Sequence, residues 1–422
     1  MTWVNHASFI LETGTVRLIC DPWLEGAAFN NGWRLLSETK LGYQEFSSIT
    51  HMWFSHEHPD HFSLPSLKQI PEEFRRRIVV LFHYTKDKRV VKACKSLGFK
   101  VEELPENEVV GIAQGVKIVC REQDDLDSWS AIFAEGKTLL NTNDCVIERQ
   151  DELKEIKQTV GKVDVLLSQF SYANWVGNPG DHAAHKVHAD RKKAEMARQI
   201  RHFEPDWFVP FASFIYFSHA ENCFMNRGGN RIDDVYEFVA REMQVQTAVL
   251  YPGDVWEVGM PRDSRDSIRR YGKDLERVLG ETPYTSPPIE FTRLKEAATA
   301  FVAKCTSKNN QLLLKALPGV VVRLSDLGLD AELSFRRGLT EVKGPGPDII
   351  ISSDSLWNCL TTDWGGETLI INGRFEVPAG GKARRFSWIF RVARQNSLGT
   401  SLDLGFLCNQ VVRKAKSAVA RA

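Results

Sequence analysis

Short apolar runs separated by polar turns dominate the first 260 of the 422 residues of the chain. Such runs are typical of β-strands, and the longer polar stretches between them have the periodicity of helices. The predicted strands are Ser8–Leu11, Thr15–Cys20, Ile49–Phe54, Ile78–Phe82, Val116–Cys120, Ser130–Ala134, Thr138–Asn141, Val163–Gln169 and Ala248–Tyr251. The predicted helices are Leu64–Ile70, Lys86–Leu97 and Asp190–His202. This alternation predicts an α/β domain over residues 1–260 in which sheets pack against helices.

The pattern changes after residue 260. Residues 261–306 are charged and helix-like, and we interpret them as a helical connector. Residues 307–422 are predicted to form a smaller α+β domain. Its predicted strands are Gly319–Leu324, Leu333–Phe335, Asp348–Ser352, Glu367–Ile371 and Arg384–Arg394, and its predicted helix is Ser353–Leu360.

Composition narrows the class of protein. The 54 basic residues balance the 54 acidic residues, which gives no reason to expect a nucleic acid or an anionic membrane surface as a partner. No apolar stretch approaches the ~20 residues of a membrane span, and no signal peptide is evident. Eight cysteines without a C-x-x-C pair are typical of reduced thiols, so we expect a cytoplasmic protein without a sequence-visible iron–sulfur module.

A metal-binding motif follows the predicted strand that ends at residue 54. Residues 55–61 read Ser-His-Glu-His-Pro-Asp-His, and they place three imidazoles and a carboxylate within six residues. A strand that ends in such a loop delivers nitrogen and oxygen donors to one point, as two first-row metal ions require. We predict that His56 and His58 face one ion and that Asp60 and His61 face the other. The alternative interpretation is a solvated polar loop.

Further donors are expected at the ends of later strands. Asp144 directly follows a predicted strand and is a candidate bridging ligand and catalytic residue, although such a residue can also be a turn aspartate. His219 follows an aromatic stretch and is the candidate last ligand, also catalytic, although a lone histidine is often a packing residue. An acidic cluster, Glu122–Asp127, precedes the predicted strand at Ser130 and could equally be a solvated loop.

Together these residues resemble the metallo-β-lactamase fold superfamily, which has H-x-H-x-D-H, a third ligand before a β-hairpin, a bridging aspartate and a last histidine. The resemblance implies an αββα sandwich over residues 1–260. The openings Asn-His-Ala-Ser-Phe-Ile-Leu-Glu at residue 5 and Asp-Pro-Trp-Leu at residue 21 look like the first hairpin of the lactonase-like branch.

A narrower resemblance is to the CMP-N-acetylneuraminate hydroxylase family. It covers nearly all of residues 1–230 and, more faintly, residues 348–375. The matching stretches are Asp21–Phe29, Gly32–Leu36, Ser55–His61, Asp127–Ser128, Leu140–Cys145, Arg191–Lys193, Pro210–Phe214, Ser218–Ala220 and Asn226. Hydroxylases of this family carry an amino-terminal Rieske domain, and no Rieske motif is visible here. The resemblance therefore implies electrons from a separate electron-transfer protein.

The substrate is not defined by this resemblance. The loop of residues 174–188 does not match the family, so a sugar-nucleotide substrate does not follow. Its histidines His182, His185 and His188 recur at every third residue, and we interpret them as one helix face near the site entrance and not as ligands. The expected substrate is a small molecule, free or carried on another protein.

The third ligand of the first ion decides the predicted metal. Zinc hydrolases of this fold use histidine there, but no histidine lies between His83 and His182. Asp125 and Asp127 are the donors immediately before the hairpin; we favour Asp125 as ligand, with Asp127 ligating or orienting it. Replacing imidazole by carboxylate hardens the site and favours iron. The predicted cofactor is therefore two iron ions, with zinc or manganese as the alternative.

The sequence thus predicts a dinuclear non-haem iron oxygenase that hydroxylates its substrate with dioxygen and externally supplied electrons. The alternative is a dinuclear zinc hydrolase, a lactonase or phosphodiesterase, with the same fold and most of the same ligands. The carboxyl-terminal domain resembles sterol-carrier-like domains in two strings that begin at Asp348 and Trp364. We interpret it as a cap over the catalytic domain or a homodimer surface; a hydrophobic substrate cavity is the alternative.

Overall fold

The computed structural model describes residues 1–123, 126–344 and 346–402. Within them the chain forms two compact units. Unit 1 contains residues 1–173, 182–218 and 225–282, and unit 2 contains residues 174–181, 219–224 and the chain from Pro283 onward.

Unit 1 holds the strands and helices that the first 260 residues predict, except the strand at Ala248–Tyr251, and it has several additional short strands. Its strands are β1 (Thr2–Asn5), β2 (Ser8–Thr13), β3 (Val16–Cys20), β4 (Ala27–Ala28), β5 (Trp33–Leu35), β6 (His51–Trp53), β7 (Val79–His83), β8 (Lys100–Leu104), β9 (Val110–Ala113), β10 (Val116–Gln123), β11 (Asp127–Ala134), β12 (Lys137–Asn143), β13 (Val165–Gln169), β14 (Trp207–Phe211), β15 (Ile215–Phe217) and β16 (Gln246–Thr247). Its helices are α1 (Leu64–Gln69), α2 (Glu72–Arg75), α3 (Arg89–Ser96), α4 (Gln150–Val160), α5 (His182–Phe203), α6 (Ile232–Glu242) and α7 (Arg265–Gly280). The helix predicted at Asp190 begins eight residues earlier, at His182.

Two sheets form the centre of unit 1. One has the strand order β1-β2-β3-β6-β7-β8 and the other β16-β14-β13-β12-β11-β10-β9, and a short third sheet has the order β15-β5-β4. Phe9 and Leu18 of the first large sheet share one buried core with Ile118 and Leu140 of the second. The two sheets therefore pack face to face.

Helices cover the outer faces of both large sheets. Ile19 and Val80 of the first sheet pack with Leu67 of α1 and Val90 of α3. Apolar residues of α4, α5 and α6 belong to the core that contains the second sheet. This arrangement confirms the predicted αββα sandwich.

Parallel pairing brings the metal-binding candidates to one edge. Strand β6 pairs in parallel with β3 and with β7, and β12 pairs in parallel with β13, which pairs in parallel with β14. Since the carboxyl ends of parallel strands meet at one edge of a sheet, the segments after β3 and β6 lie close together. The end of β12, in the other large sheet, reaches them through Asn143, whose Nδ2 donates to Asp21 Oδ2 at 2.9 Å. The segments after β3, β6 and β12 begin with Asp21, Phe54 and Asp144.

The strand predicted at Ala248–Tyr251 is wrong. The segment is buried, but the strand at this place is the two-residue β16, Gln246–Thr247. The amide of Val249 donates to Ser264 Oγ, and that of Tyr251 donates to Asp254 Oδ2. Side chains thus take hydrogen bonds that a neighbouring strand would otherwise supply.

Unit 2 combines one sheet with helices. Its strands are β17 (Val320–Leu324), β18 (Leu329–Ser334), β19 (Gly338–Glu341), β20 (Ile349–Ile351) and β21 (Phe375–Glu376), in the order β19-β18-β17-β20-β21. Its helices are α8 (Phe291–Thr306), α9 (Gln311–Ala316), α10 (Ser353–Thr361), α11 (Gly365–Asn372) and α12 (Ala383–Ser397). Val322 and Leu333 of the sheet share a buried core with Phe301 and Phe390 of the helices.

Two predicted strands of this unit are helices. Residues 367–371 lie in α11, where the buried positions 365, 366, 369 and 372 follow helical spacing. Residues 384–394 lie in α12, where Phe386, Ile389 and Phe390 form the buried face and Trp388 is exposed. A short apolar run fits a strand or a buried helix equally well, so its periodicity could not decide between them.

The predicted connector, residues 261–306, contains two long helices that belong to different units. Tyr271 of α7 is buried in unit 1 and stacks on Phe214 at a ring separation of 4.2 Å. Leu294 of α8 is buried in the core of unit 2. The domain boundaries drawn from sequence and the sterol-carrier-like assignment stay predictions.

The length and apolar character of the helices show whether any of them could span a membrane. In the three ranges that the structure describes, none is both long enough and apolar enough to cross a bilayer.

Tight helix packing in unit 2 gives a stability prediction. A methyl group added at Gly366 in α11 would overlap the side chain of the buried Phe390 in α12. We expect Gly366→Ala to lower the free energy of unfolding by about 1–3 kcal/mol, as overpacking typically does, measured by urea denaturation.

Gly272 in α7 is the matched control. Nothing lies within 4 Å of an added methyl group there, so Gly272→Ala should raise the free energy of unfolding by about 0.5–1 kcal/mol. Equal effects of the two substitutions would contradict the packing argument.

Candidate metal centre

The metal-binding motif forms a buried loop between β6 and α1. His56, Asp60 and His61 are at most 1% exposed, and His58 is half-buried. Ser63 ends the loop as the amino-terminal cap of α1, where its hydroxyl accepts from the Ser66 amide. The loop therefore directs its polar side chains inward between two regular elements.

Candidate ligand atoms converge in three overlapping groups. The first donor group is His56, His58 and Asp127; the second is His6, Asp60 and His61; and the bridging group is His56, His61 and Asp144. Within each group the ligand atoms lie within 4.8 Å of one another. Because the bridging group takes one histidine from each of the other two, Asp144 lies where a carboxylate can span two ions.

The first donor group is oriented through Ser55. His56 Nδ1 lies 2.9 Å from Ser55 Oγ, which in turn donates to Asp21 Oδ2 at 2.7 Å. With Nδ1–H donating to Ser55, the lone pair of His56 is on Nε2, which lies 2.8 Å from His58 Nδ1 and 3.5 Å from Asp127 Oδ1. These three atoms face a common point.

His61 is oriented in the same way by Asp21. His61 Nδ1–H donates to Asp21 Oδ2 at 2.9 Å, which leaves Nε2 as the ring nitrogen that can bind a metal ion after it loses its proton. That Nε2 lies 3.4 Å from Asp60 Oδ2 and 3.4 Å from Asp144 Oδ2. The other oxygen of Asp144 accepts from Gln169 Nε2 at 3.1 Å. A carboxylate that accepts a hydrogen bond from one ring nitrogen of a histidine, as Asp21 does from His61, commonly accompanies a metal-binding histidine.

Burial and charge prepare these donors for metal. Burial lowers the pKa of His56 and of His58 to about 4, so both imidazoles are neutral at pH 7. Burial raises the pKa of Asp127 to about 6. Burial alone would lower the pKa of His61, but the carboxylates Asp60, Asp144 and Asp21 raise it well above its ordinary value, so a proton and a metal ion compete for this side chain.

The buried ligand atoms fit metal ions. Asp60 Oδ1, His61 Nε2 and Asp127 Oδ1 are buried and make no hydrogen bond to any described residue. Buried polar atoms are normally hydrogen-bonded, so three such atoms in one cluster need another partner. With nitrogen and oxygen donors on both sides of Asp144, the cluster has the donor chemistry that holds metal ions.

The structure assembles most of the predicted site. His56, His58, Asp60, His61, Asp127 and Asp144 all belong to the three groups. Asp125 lies outside the described residues, so its predicted role as the ligand stays a prediction, while Asp127 is in place beside His56. The three histidines at positions 182, 185 and 188 lie on α5, and none of them is in a ligand group of the described chain.

His219 lies in unit 2 and in none of the ligand groups formed by described residues. Its Nδ1 accepts from the Glu221 amide at 3.2 Å, and its Nε2 lies 3.3 Å from Ser286 Oγ. Burial and the nearby Arg374 guanidinium lower its pKa to about 4. The predicted ligand and catalytic roles of His219 stay predictions.

Sequence reasoning missed Asp21 and His6. Asp21 directly follows β3, the same placement that singled out Asp144, so its position after a predicted strand was a usable signal. His6 lies in the turn between β1 and β2, 2% exposed, with its Nε2 3.3 Å from Asp60 Oδ2. Only the fold brings this turn to the loop that carries Asp60, so no local pattern marks His6.

The Asp21–His61 pair gives a testable prediction. Asp21→Asn keeps every proposed ligand but replaces the charged acceptor of His61 with a neutral amide, so we expect metal affinity to fall by about 10–100-fold. Competition with a chromophoric chelator measures this affinity. Asp206→Asn, at an exposed partner of Lys162, is the control and should leave the affinity unchanged. Equal affinity in Asp21→Asn and the native protein would contradict the orienting role.

The pKa of Asp127 predicts a pH dependence of metal binding. Below pH 6 a proton occupies this carboxylate in the metal-free protein and must leave before the oxygen can bind metal. From this group alone, affinity should fall by up to about tenfold for each pH unit below 6 and level off above it. In Asp127→Asn the fall should be shallower by that amount; identical slopes for native protein and variant would refute the assignment.

Known proteins match part of the chain. The family model described as a β-lactamase superfamily domain matches residues 1–167. Cytidine monophosphate-N-acetylneuraminic acid hydroxylase of Mus musculus is 27% identical over 290 residues, which cover 63% of this chain and 48% of that protein. The Cricetulus griseus protein of the same name is 26% identical over 290 residues, covering 63% and 50%. The chain spans about half the length of these curated relatives.

Solved structures that are similar to this chain include a β-hydroxylase and a hydrolase. CmlA, a diiron β-hydroxylase from Streptomyces venezuelae, has a TM-score of 0.37 and 15% identity, over 50% of this chain and 44% of its own. The isothiocyanate hydrolase from Delia radicum gut bacteria has a TM-score of 0.42 and 12% identity, over 61% and 98%. From the family match over residues 1–167 and the αββα sandwich, we conclude that this part of the chain has the metallo-β-lactamase fold.

Proposed function

We propose that this protein is a dinuclear non-haem iron oxygenase that hydroxylates a small molecule. The observation that carries the proposal is the carboxylate Asp127, which joins His56 and His58 in the first donor group. No histidine of the described chain takes a third place in that group. Oxygen donors are hard ligands that suit iron or manganese, whereas a third imidazole would suit zinc.

The donor set can hold two ions, and the two ions have different ligands. In the proposed centre, His56, His58 and Asp127 hold the first ion, Asp60 and His61 hold the second, and Asp144 bridges them. Three carboxylates then offset most of the charge of two divalent ions. When bound, the ions supply the reduction of dioxygen, which side chains alone do not provide.

Protein groups around the ligands keep them in position. Asp21 and Ser55 fix the ring nitrogens of His61 and His56 that face the ions, and Gln169 holds the outer oxygen of Asp144. These hydrogen bonds use ring and carboxylate atoms other than those proposed to bind the ions, so they can hold the ligands in place while metal is bound. Partners of this kind orient metal ligands and strengthen metal binding.

The exposure of the ligands indicates the side from which a substrate approaches. The side chains of Asp127 and Asp144 are 22% and 17% exposed, whereas those of Asp60 and His61 are at most 1% exposed. We therefore place the substrate beside Asp127 and Asp144. The second donor group lies on the inner side, where burial excludes water.

The relatives support a hydroxylation, without defining the substrate. The curated relatives that match 63% of the chain are named as hydroxylases of a sialic-acid nucleotide. Because the chain spans about half of their length, we extend the reaction type and not the substrate. The reaction inserts one oxygen atom of dioxygen and releases the other as water, which requires two electrons from a separate electron-transfer protein.

Metal content and dioxygen consumption test this proposal. The protein is purified from iron-replete cells or loaded with Fe²⁺ without oxygen, and then mixed with oxygen and a chemical reductant. We expect two iron ions per chain and dioxygen consumption that the zinc-loaded protein does not show.

Asp127→His is the discriminating variant. It supplies the imidazole of a zinc site, so we expect higher zinc affinity and loss of dioxygen consumption. A native protein that purifies with two zinc ions, hydrolyses lactones or phosphodiesters and consumes no dioxygen would instead establish the hydrolase.

A further inference from the structure

His6 is held rigidly beside the second donor group. Its backbone lies in the left-handed region, with φ of +36°, in the turn between β1 and β2. The His6 carbonyl accepts from the Ala212 amide at 3.1 Å, and the His6 amide donates to Asn5 Oδ1 at 2.9 Å. A non-glycine residue in this conformation is unfavourable, and such residues concentrate at functional sites.

The ring of His6 is fixed by packing. It lies edge-to-face against Trp23, with ring centres 5.9 Å apart, and against His61, at 5.6 Å. Its Nδ1 is buried and makes no hydrogen bond to a described residue. Its Nε2 therefore has only one polar neighbour in the donor group at close range, Asp60 Oδ2 at 3.3 Å.

The distances in this part of the site match atoms that share a metal ion. His6 Nε2 lies 3.3 Å from Asp60 Oδ2, and His61 Nε2 lies 3.4 Å from the same oxygen. Charge-assisted hydrogen bonds between nitrogen and carboxylate are shorter, at about 2.7–2.9 Å. Ligand atoms on one ion, with bonds of about 2.0–2.2 Å, lie about 3.0–3.4 Å apart in six- or four-coordinate geometry.

The proposed second ion needs one more nitrogen donor to match the first. Asp60, His61 and the bridging Asp144 supply one nitrogen and two carboxylates, whereas the first ion has two histidines. His219, assigned to this place from the sequence, has both ring nitrogens beside polar groups of unit 2, the Glu221 amide and Ser286. His6 is the histidine that the structure places with Asp60 and His61.

We propose that His6 is a ligand of the second metal ion, through Nε2. The inference rests on the proposed dinuclear centre and adds to it a donor from the first turn of the chain. The competing assignment is that His6 only donates a hydrogen bond to Asp60. The two assignments predict different behaviour when the ring is replaced by a group that can donate but offers no ring nitrogen to the metal.

The experiment measures metal binding by His6→Ala, His6→Gln and the control His51→Ala. His51 lies on β6 and is half-buried, but it belongs to none of the ligand groups of the described chain. Each metal-free protein is titrated with Co²⁺. The readouts are the ions bound per chain after desalting, the dissociation constants, and the visible absorption of the Co²⁺ form. Thermal melts of the metal-free proteins establish that the variants fold.

We expect native protein and His51→Ala to bind two Co²⁺ ions with the same spectrum. Both His6 variants should keep one ion and bind the second more than about 100-fold more weakly, beyond the 10–100-fold typical of losing an orienting partner. Their spectra should lose the absorption of the second ion. The glutamine amide keeps a donor toward Asp60, so its failure to restore binding separates ligation from hydrogen bonding.

Two other results would overturn the assignment of His6. Native-like affinity for two ions and a native spectrum in His6→Gln or in His6→Ala would overturn the assignment of His6 while leaving the dinuclear centre intact. A native protein that binds only one ion would overturn the dinuclear centre and the His6 assignment together. If His6→Ala does not fold, His6→Asn replaces it, because asparagine adopts the left-handed conformation more readily.

Discussion

The metal centre depends on one buried carboxylate, Asp21. It is 1% exposed and accepts four hydrogen bonds: from the amide and hydroxyl of Ser55, from Asn143 Nδ2 and from His61 Nδ1. An isolated buried carboxylate would be strongly unfavourable, and the four donors offset that cost. Asp21 also joins the ends of three strands from both large sheets, since it follows β3, Ser55 follows β6 and Asn143 ends β12. The sandwich and the ligand geometry are therefore fixed by the same group.

Much of the fold could be predicted from the sequence because each strand corresponds to a short local pattern of apolar and polar residues. The strands around the motif are short apolar runs with clear polar ends, and parallel pairing of β3 with β6 then brings Asp21 close to the loop that follows β6. The carboxyl-terminal unit was harder. Residues 367–371 and 384–394 read as strands but form helices whose close approach requires Gly366 against Phe390. That requirement comes from tertiary packing, which a local apolar pattern does not contain.

The candidate site also contains residues that the local sequence identifies and residues that depend on the tertiary fold. The residues of the H-x-H-x-D-H motif could be identified because three imidazoles and a carboxylate within one short loop are typical of a metal site. His6 could not be identified, because it acts through partners far along the chain, whereas the position of Asp21 directly after a predicted strand was a signal that went unused. Both have positive φ, as has Asn143, at 36°, 37° and 51° respectively. Each such residue costs about 1–3 kcal/mol, so the surrounding hydrogen bonds must hold it in place.

In our proposal, the choice between oxygenase and hydrolase depends on Asp127. This residue lies on β11, which contacts the hydrogen-bond network of Asp21 through Ser128 and Ser55. Asp127 begins β11, at the connected end of the β10–β11 hairpin where it pairs with Gln123, and the adjacent Ser128 donates its hydroxyl to the Ser55 carbonyl. The remaining ligands follow strand ends deep in the sandwich, where Asp21 and the packing of two sheets constrain them. The hairpin can therefore exchange its donor, carboxylate for imidazole, without moving the other ligands. One fold can in this way host a hard site or a softer one, and its chemistry is set by the side chain at a single hairpin position.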